Sequence, residues 1–181
     1  MTASSPDRQA DERPAEEGDP PADAETDGSS PEDREAPRVA PQQMTHYLSG
    51  LDPVGGLGNF KSTGASKMNG TTYANSVRFH PSYFQSNPLS VTYNVPAGTK
   101  SLKADVGLDD ETLDGYEVHF EVKRNDGSVV FQETLRAGAV HDVDKKVSGV
   151  RRITITVKVI ARPSDAINNR FRAVVGNGRF E

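Results

Sequence analysis

Leu89-Ser90-Val91-Thr92-Tyr93-Asn94-Val95 carries an apolar side chain at every odd position and a polar one at nearly every even position. A strand turns successive side chains to opposite faces, so this stretch offers one face to a core and one to water. The pattern recurs. Leu102, Ala104, Val106 and Leu108 alternate with Lys103, Asp105 and Gly107. Tyr116, Val118, Phe120 and Val122 alternate with Glu117, His119, Glu121 and Lys123, and Ile153, Ile155, Val157 and Val159 with Thr154, Thr156 and Lys158. One-sided strands are antiparallel strands, because buried parallel ones would be apolar on both faces. The punctuation agrees. Asn69-Gly70 supplies the two positive-φ positions of a tight hairpin turn. Asn125-Asp126-Gly127, the Pro96–Lys100 stretch and Val147-Ser148-Gly149-Val150 separate further strands, and no amphipathic helix of ten or more residues is legible. Short strands at this spacing predict an all-β sandwich or barrel.

The chain has 181 residues, 34% of them hydrophobic, and the shortfall in apolar residues is local. Residues 1–43 hold 12 acidic and 4 basic residues and seven of the 12 prolines. Such a segment cannot bury enough apolar surface to offset the entropy of ordering its backbone. Residues 1–43 therefore read as a disordered, acidic, Pro-rich linker, and 44–181 as a folded domain with 14 acidic and 17 basic residues. The overall acidity belongs to the tail and says nothing about a basic partner. The opening Met1–Asp7 has no basic region leading into an apolar stretch, so it reads as no signal peptide. No run reaches the roughly 18 apolar residues of a membrane span. With no cysteine, disulfides and thiolate chemistry are excluded.

Motifs for catalysis are missing: no Gly-rich phosphate loop follows a strand, and neither G-x-S-x-G nor H-E-x-x-H occurs. The four histidines, His46, His80, His119 and His141, show no metal spacing. The sequence predicts no catalytic residue. Lys145-Lys146 and Arg151-Arg152 read as a basic patch or as solvated turn and strand-start residues. Without interleaved aromatics they do not predict a nucleic-acid partner.

Several segments are similar to one family. Tyr47–Val54 resembles the opening of the NPCBM family, a "novel putative carbohydrate-binding module". Met68–Ala74 resembles its N-G-x-x-Y hairpin, Ser76–Ser82 its G-[LI]-x-x-H-[AP] segment, and Ala104–Glu111 its G-[VIL]-D-[DS] stretch. Val118–Phe131 and Val147–Val157 are similar to its paired long strands. Val175 stands where family members often carry a tryptophan, and the chain has no tryptophan. The resemblance implies a galactose-binding-like jelly-roll β-sandwich. It also implies a non-catalytic module that recognises a glycan, with galactose-type sugars as candidates, through loops at one edge. Such modules sit outside bacterial cells, attached to a larger protein. The alternative is a structural or protein-interaction sandwich that has lost the sugar site.

A sugar site needs polar groups for hydroxyls and an aromatic face for the ring. The ligand-binding candidates are His80, Asp109, Asp110, Asn169, Arg170 and Asn177, with Phe60, Tyr83, Phe84 or Phe171 as platforms. His80 reads equally as a strand-end histidine bonded to backbone. Asp109, Asp110 and Glu111 can serve as oxygen ligands for a structural calcium ion, or Asp109 and Asp110 can cap their own turn. No cofactor beyond calcium is suggested. Asn169 and Arg170 read as hydroxyl-binding groups or as a solvated turn.

Overall fold

The computed structural model describes residues 44–56, 61–80, 88–164 and 171–181. The expected linker, residues 1–43, lies outside them. Among the described residues eleven strands follow in chain order: β1 (His46–Tyr47), β2 (Gly55–Gly56), β3 (Lys61–Met68), β4 (Thr71–Phe79), β5 (Leu89–Asn94) and β6 (Ser101–Leu108). They continue with β7 (Glu117–Arg124), β8 (Val129–Arg136), β9 (Val140–Lys146), β10 (Arg152–Ala161) and β11 (Ala173–Phe180). A single 3-10 turn, Leu48–Gly50, is the only helical element among the described residues.

The strands form two antiparallel sheets. One runs β3-β4-β11-β6-β9, with β1 added beside β11; the other runs β2-β5-β10-β7-β8. The alternations read from the sequence become the two inner faces. Leu89, Val91, Tyr93, Val118, Phe120, Val122, Ile153, Ile155 and Val157 come from the second sheet. Val77, Phe79, Leu102, Val106, Leu108 and Val175 come from the first, and all of these are buried. The turns have the expected geometry: Asn69 and Gly70 take φ of 46° and 78°, which closes the β3–β4 hairpin.

The last strand departs from the simple pattern. Ala173-Val174-Val175-Gly176-Asn177-Gly178 lacks the alternation of the other strands, yet β11 is central, hydrogen-bonded to both β4 and β6. Its glycines make the position possible. β4 pairs with β11 only from Val77 to Phe79, and the rest of the β3–β4 hairpin swings across the outer face of the sheet. There Met68, fully buried, approaches Gly107 and Gly176. A Cβ on Gly176 would lie 2.7 Å from the Tyr73 ring and 2.8 Å from Met68 Cε. The strand is smooth on one side so that the hairpin can lie on it.

Gly176→Ala should therefore destabilise the domain by about 1–3 kcal/mol through overpacking. Pairing it with Tyr73→Ala should give a combined loss smaller than the sum of the two single losses, because they share one contact. Urea denaturation of the four proteins of that cycle checks this, and a Gly176→Ala protein as stable as wild type would contradict it.

Candidate functional site

The register of β11 assembles the candidate residues at one end of the first sheet. Ala173 pairs with Phe79 of β4 on one side and with Leu108 of β6 on the other. Phe79, Ala173 and Leu108 face the core. One residue further, alternation turns His80, Arg172 and Asp109 outward. The Asp109 N–H donates to the Arg172 carbonyl at 3.0 Å, which fixes that step of the row. Neighbouring strands lie about 4.8 Å apart, so three polar side chains stand side by side across three strand ends.

Each member is held from below. The His80 Nε2 and the Ser62 Oγ share a hydrogen bond of 2.6 Å. Beside them, Arg78 donates from Nη2 to the Thr63 carbonyl at 2.9 Å, across the β3 bulge at Gly64. Arg172 donates from Nη1 to Glu111 Oε2 at 2.7 Å and lies 3.8 Å from Asp109 Oδ1. Thr112 Oγ accepts the Arg172 N–H at 3.2 Å. Asp109 is buried and accepts the Glu111 N–H on Oδ1 at 3.1 Å, the Asx turn that its sequence position offered. Asp110 is exposed. Its Oδ2 accepts the Gly70 N–H at 3.0 Å, and its own N–H donates to the Lys67 carbonyl, so it latches the β3–β4 hairpin to this end of the sheet.

His80 is harder to protonate than a free histidine. Burial lowers its affinity for a proton, the Arg172 and Arg78 cations lower it further, and the Asp109 carboxylate opposes them. The Ser62–His80 pair has the outward form of a nucleophile and a base. A general base needs a neighbour that stabilises the imidazolium it becomes; the charges weighing most on His80 are guanidinium groups that disfavour it. The arrangement suits hydrogen bonding to hydroxyls better than proton abstraction.

Other expectations fall elsewhere. Asn177 sits well along β11 from the row, roughly 16 Å away at 3.3 Å per residue. It has φ of 47°, and its Oδ1 accepts the Asn75 N–H at 3.2 Å, where β4 leaves the sheet. Phe171 is no platform: it is 2% exposed and packs on Tyr116 at 4.8 Å between ring centres. Asn169, Arg170, Phe60, Tyr83 and Phe84 lie outside the described residues. Among the described residues no three His, Asp or Glu side chains converge as metal ligands. Asp109 accepts from the Glu111 N–H, Asp110 accepts from the Gly70 N–H, and Glu111 pairs with Arg172. Reasoning from sequence missed Arg172 and Ser62. For Arg172 the available signal was its place between Phe171 and Ala173, two residues that face inward.

A family model described as the NPCBM/NEW2 domain matches residues 43–176. No curated protein matches the chain. Among solved structures, a CBM51 from Clostridium perfringens GH95, in complex with methyl-galactose, is similar with a TM-score of 0.58. It is 17% identical, and the match covers 76% of this chain and 100% of that one. The CBM51-2 and INT domains of Clostridium perfringens ZmpB give a TM-score of 0.55 at 20% identity, covering 76% of this chain but only 31% of that one. A larger ZmpB structure, the M60 catalytic domain with CBM51-1 and CBM51-2, gives 0.53 at 18% identity and is covered over 15% of its length. At these identities the likeness establishes the fold. No helix among the described residues is long and apolar enough to cross a membrane.

A partly buried histidine that resists protonation has a consequence for stability. The unfolded chain takes up a proton near the ordinary histidine value of 6.5, whereas folded His80 does so only at lower pH. Between the two values the unfolded state binds more protons, so stability rises with pH there and is lost as the pH falls. Denaturation midpoints measured from pH 7.5 down to about 5 should drop less for His80→Gln than for wild type. Identical profiles for the two proteins would rule the assignment out.

Proposed function

Because this chain belongs to the NPCBM/NEW2 family, we propose that it is a non-catalytic carbohydrate-binding module whose sugar lies against the His80–Arg172–Asp109 row. The observation that carries the reading is the row itself, with donors and acceptors in alternation at one end of the sheet. Arg172 commits Nη1 to Glu111, which leaves the other edge of its guanidinium to donate to adjacent hydroxyls. His80 in its neutral form offers a ring nitrogen that can donate or accept according to its tautomer. Asp109 and Glu111 are acceptors, and the ion pair with Arg172 fixes where they point. A hydroxyl both donates and accepts, so such a set satisfies it in either direction. Asp110 acts behind this row by holding the hairpin in place, and Asn177 acts remotely on the course of β4.

A galactose-type sugar is the first ligand to test, since the similar CBM51 of Clostridium perfringens GH95 was solved with methyl-galactose. The carboxylates are already engaged by protein donors, so binding should be the same in calcium and in chelator. A glycan reader of this kind works outside the cell, where polysaccharides are found, as part of a larger protein.

An open row at a strand end buries little of its ligand, so the dissociation constant should be roughly micromolar to millimolar, or about 4–8 kcal/mol. Calorimetric titration of the full chain with methyl-galactoside, followed by a glycan array, measures it. Arg172→Ala should weaken binding by about tenfold or more, the loss of one charge-assisted pair, while Lys158→Ala on the other sheet leaves it unchanged. If no glycan binds at millimolar concentration, or if Arg172→Ala binds as wild type does, the reading is wrong.

A further inference from the structure

The pole of the sandwich opposite His80 carries a charge pattern for which the sugar row has no use. There the end of β5, the end of β7, the end of β9 and the start of β10 come together. Arg152 pairs with Asn94 and Ile153 with Arg124, while Lys146 pairs with Ser101 at the start of β6. Arg124 Nη2 donates to the Lys146 carbonyl at 3.4 Å, tying the two sheets at this corner. Lys146 and the Arg151-Arg152 doublet thus become neighbours of one another and of Arg124, while Lys145 lines a separate open cavity with Glu133 and His141.

The groups are arranged as well as gathered. Asn94, Asn125, Arg151 and Arg152 line an open cavity of about 420 Å³. Arg152 donates from Nε to Asn94 Oδ1 at 3.1 Å, which orients the guanidinium and leaves its outer nitrogens free. The Arg151 N–H donates to Asn125 Oδ1 at 3.3 Å, so the nitrogen of that amide remains a donor. Lys100, Arg124, Lys146, Arg151 and Arg152 are exposed, and none forms an ion pair with a described residue. By contrast Lys103, Lys123, Arg136, Arg172 and Arg179 each face a carboxylate. The acid nearest Arg124 in the chain, Asp126, feels that guanidinium but spends Oδ1 in its own turn, where it accepts both the N–H and the Oγ–H of Ser128. Five like charges gathered at one corner repel each other. A polyanion relieves that repulsion and releases the small ions gathered around it.

We propose that this pole is a second binding site, for the oxyanion groups of an acidic polysaccharide, with Arg151 and Arg152 as the forks that grip them. Choosing a polysaccharide over another polyanion rests on the reading under Proposed function; the anion site itself does not. Single-stranded nucleic acid is disfavoured because the aromatic residues of the strand pairs that end here, Tyr93 and Phe180, are fully buried and offer no stacking surface.

Affinity electrophoresis of the full chain through gels containing polygalacturonate, dextran sulfate or neutral dextran tests the proposal, with single-stranded DNA of mixed sequence as a competitor. Retardation is expected with one or both acidic polymers and not with dextran, and the two arms separate carboxylate from sulfate. The Arg151→Gln/Arg152→Gln double variant should bind about tenfold more weakly, and raising the salt from about 50 to about 200 mM should weaken wild type more than the variant. The same variant should retain its melting temperature and its titration by methyl-galactoside. Arg172→Ala should show the opposite pattern, so failure of the sugar row and failure of this site are read separately. The proposal is overturned if neither acidic polymer retards the protein, if the double variant is retarded as wild type is, or if DNA displaces the polymers at lower concentration than they bind.

Discussion

The register of β11 is the constraint on which the other features depend. Ala173 must lie between Phe79 and Leu108. A slip of one residue would turn Val175 and Ala173 to the outside and Arg172 into the core. Two contacts make that slip costly. Phe171 and Ala173 fill the inner face at the entry to the strand, and Gly176 and Gly178 must meet the side chains that press on them, Tyr73 and Leu48. The placement of small and large residues along one strand therefore decides both the closure of the sheet and the identity of the residues at its rim.

The rim in turn shows how charge is distributed between ordering and recognition. Arg78 and Arg172 bear on the same histidine, yet they are used differently. Arg78 is turned inward onto the carbonyls of the β3 bulge and has little left for a ligand. Arg172 is held by two acids and by Thr112 while part of its guanidinium stays at the surface. Both cations lower the affinity of that histidine for a proton, and the Asp109 carboxylate opposes them.

Much of the fold was legible in the sequence because its strands are one-sided. The alternations beginning at Leu89, Leu102, Tyr116 and Ile153 became β5, β6, β7 and β10 with boundaries shifted by a residue or so. β11 was not legible, since a strand covered on both faces, with glycines under a crossing hairpin, has no period of two to display. The site was readable in part for the same reason. His80 and Asp109 stand where apolar alternation stops, and both lie in the row. Arg172 begins a strand that sequence pattern did not reveal, so reasoning stopped short of it. Asn177, a candidate for the sugar site, takes a positive φ inside a strand. Phe171, a candidate platform, turns its ring onto Tyr116 in the core.

A central strand drawn from residues 173–180 also bears on how the domain is made. While the chain emerges from the ribosome, β4 and β6 have no partner for the edges that β11 will fill, and the inner face of that sheet stays open until the final strand arrives. The pairing with β4 joins segments 94 to 98 residues apart and that with β6 segments 65 to 78 apart, which makes closure slow relative to local hairpins. Until then a half-built sheet with bare edges is a template for association with other nascent chains. The second sheet can complete its β5-β10-β7-β8 ladder by residue 161, so synthesis yields one finished layer well before the other.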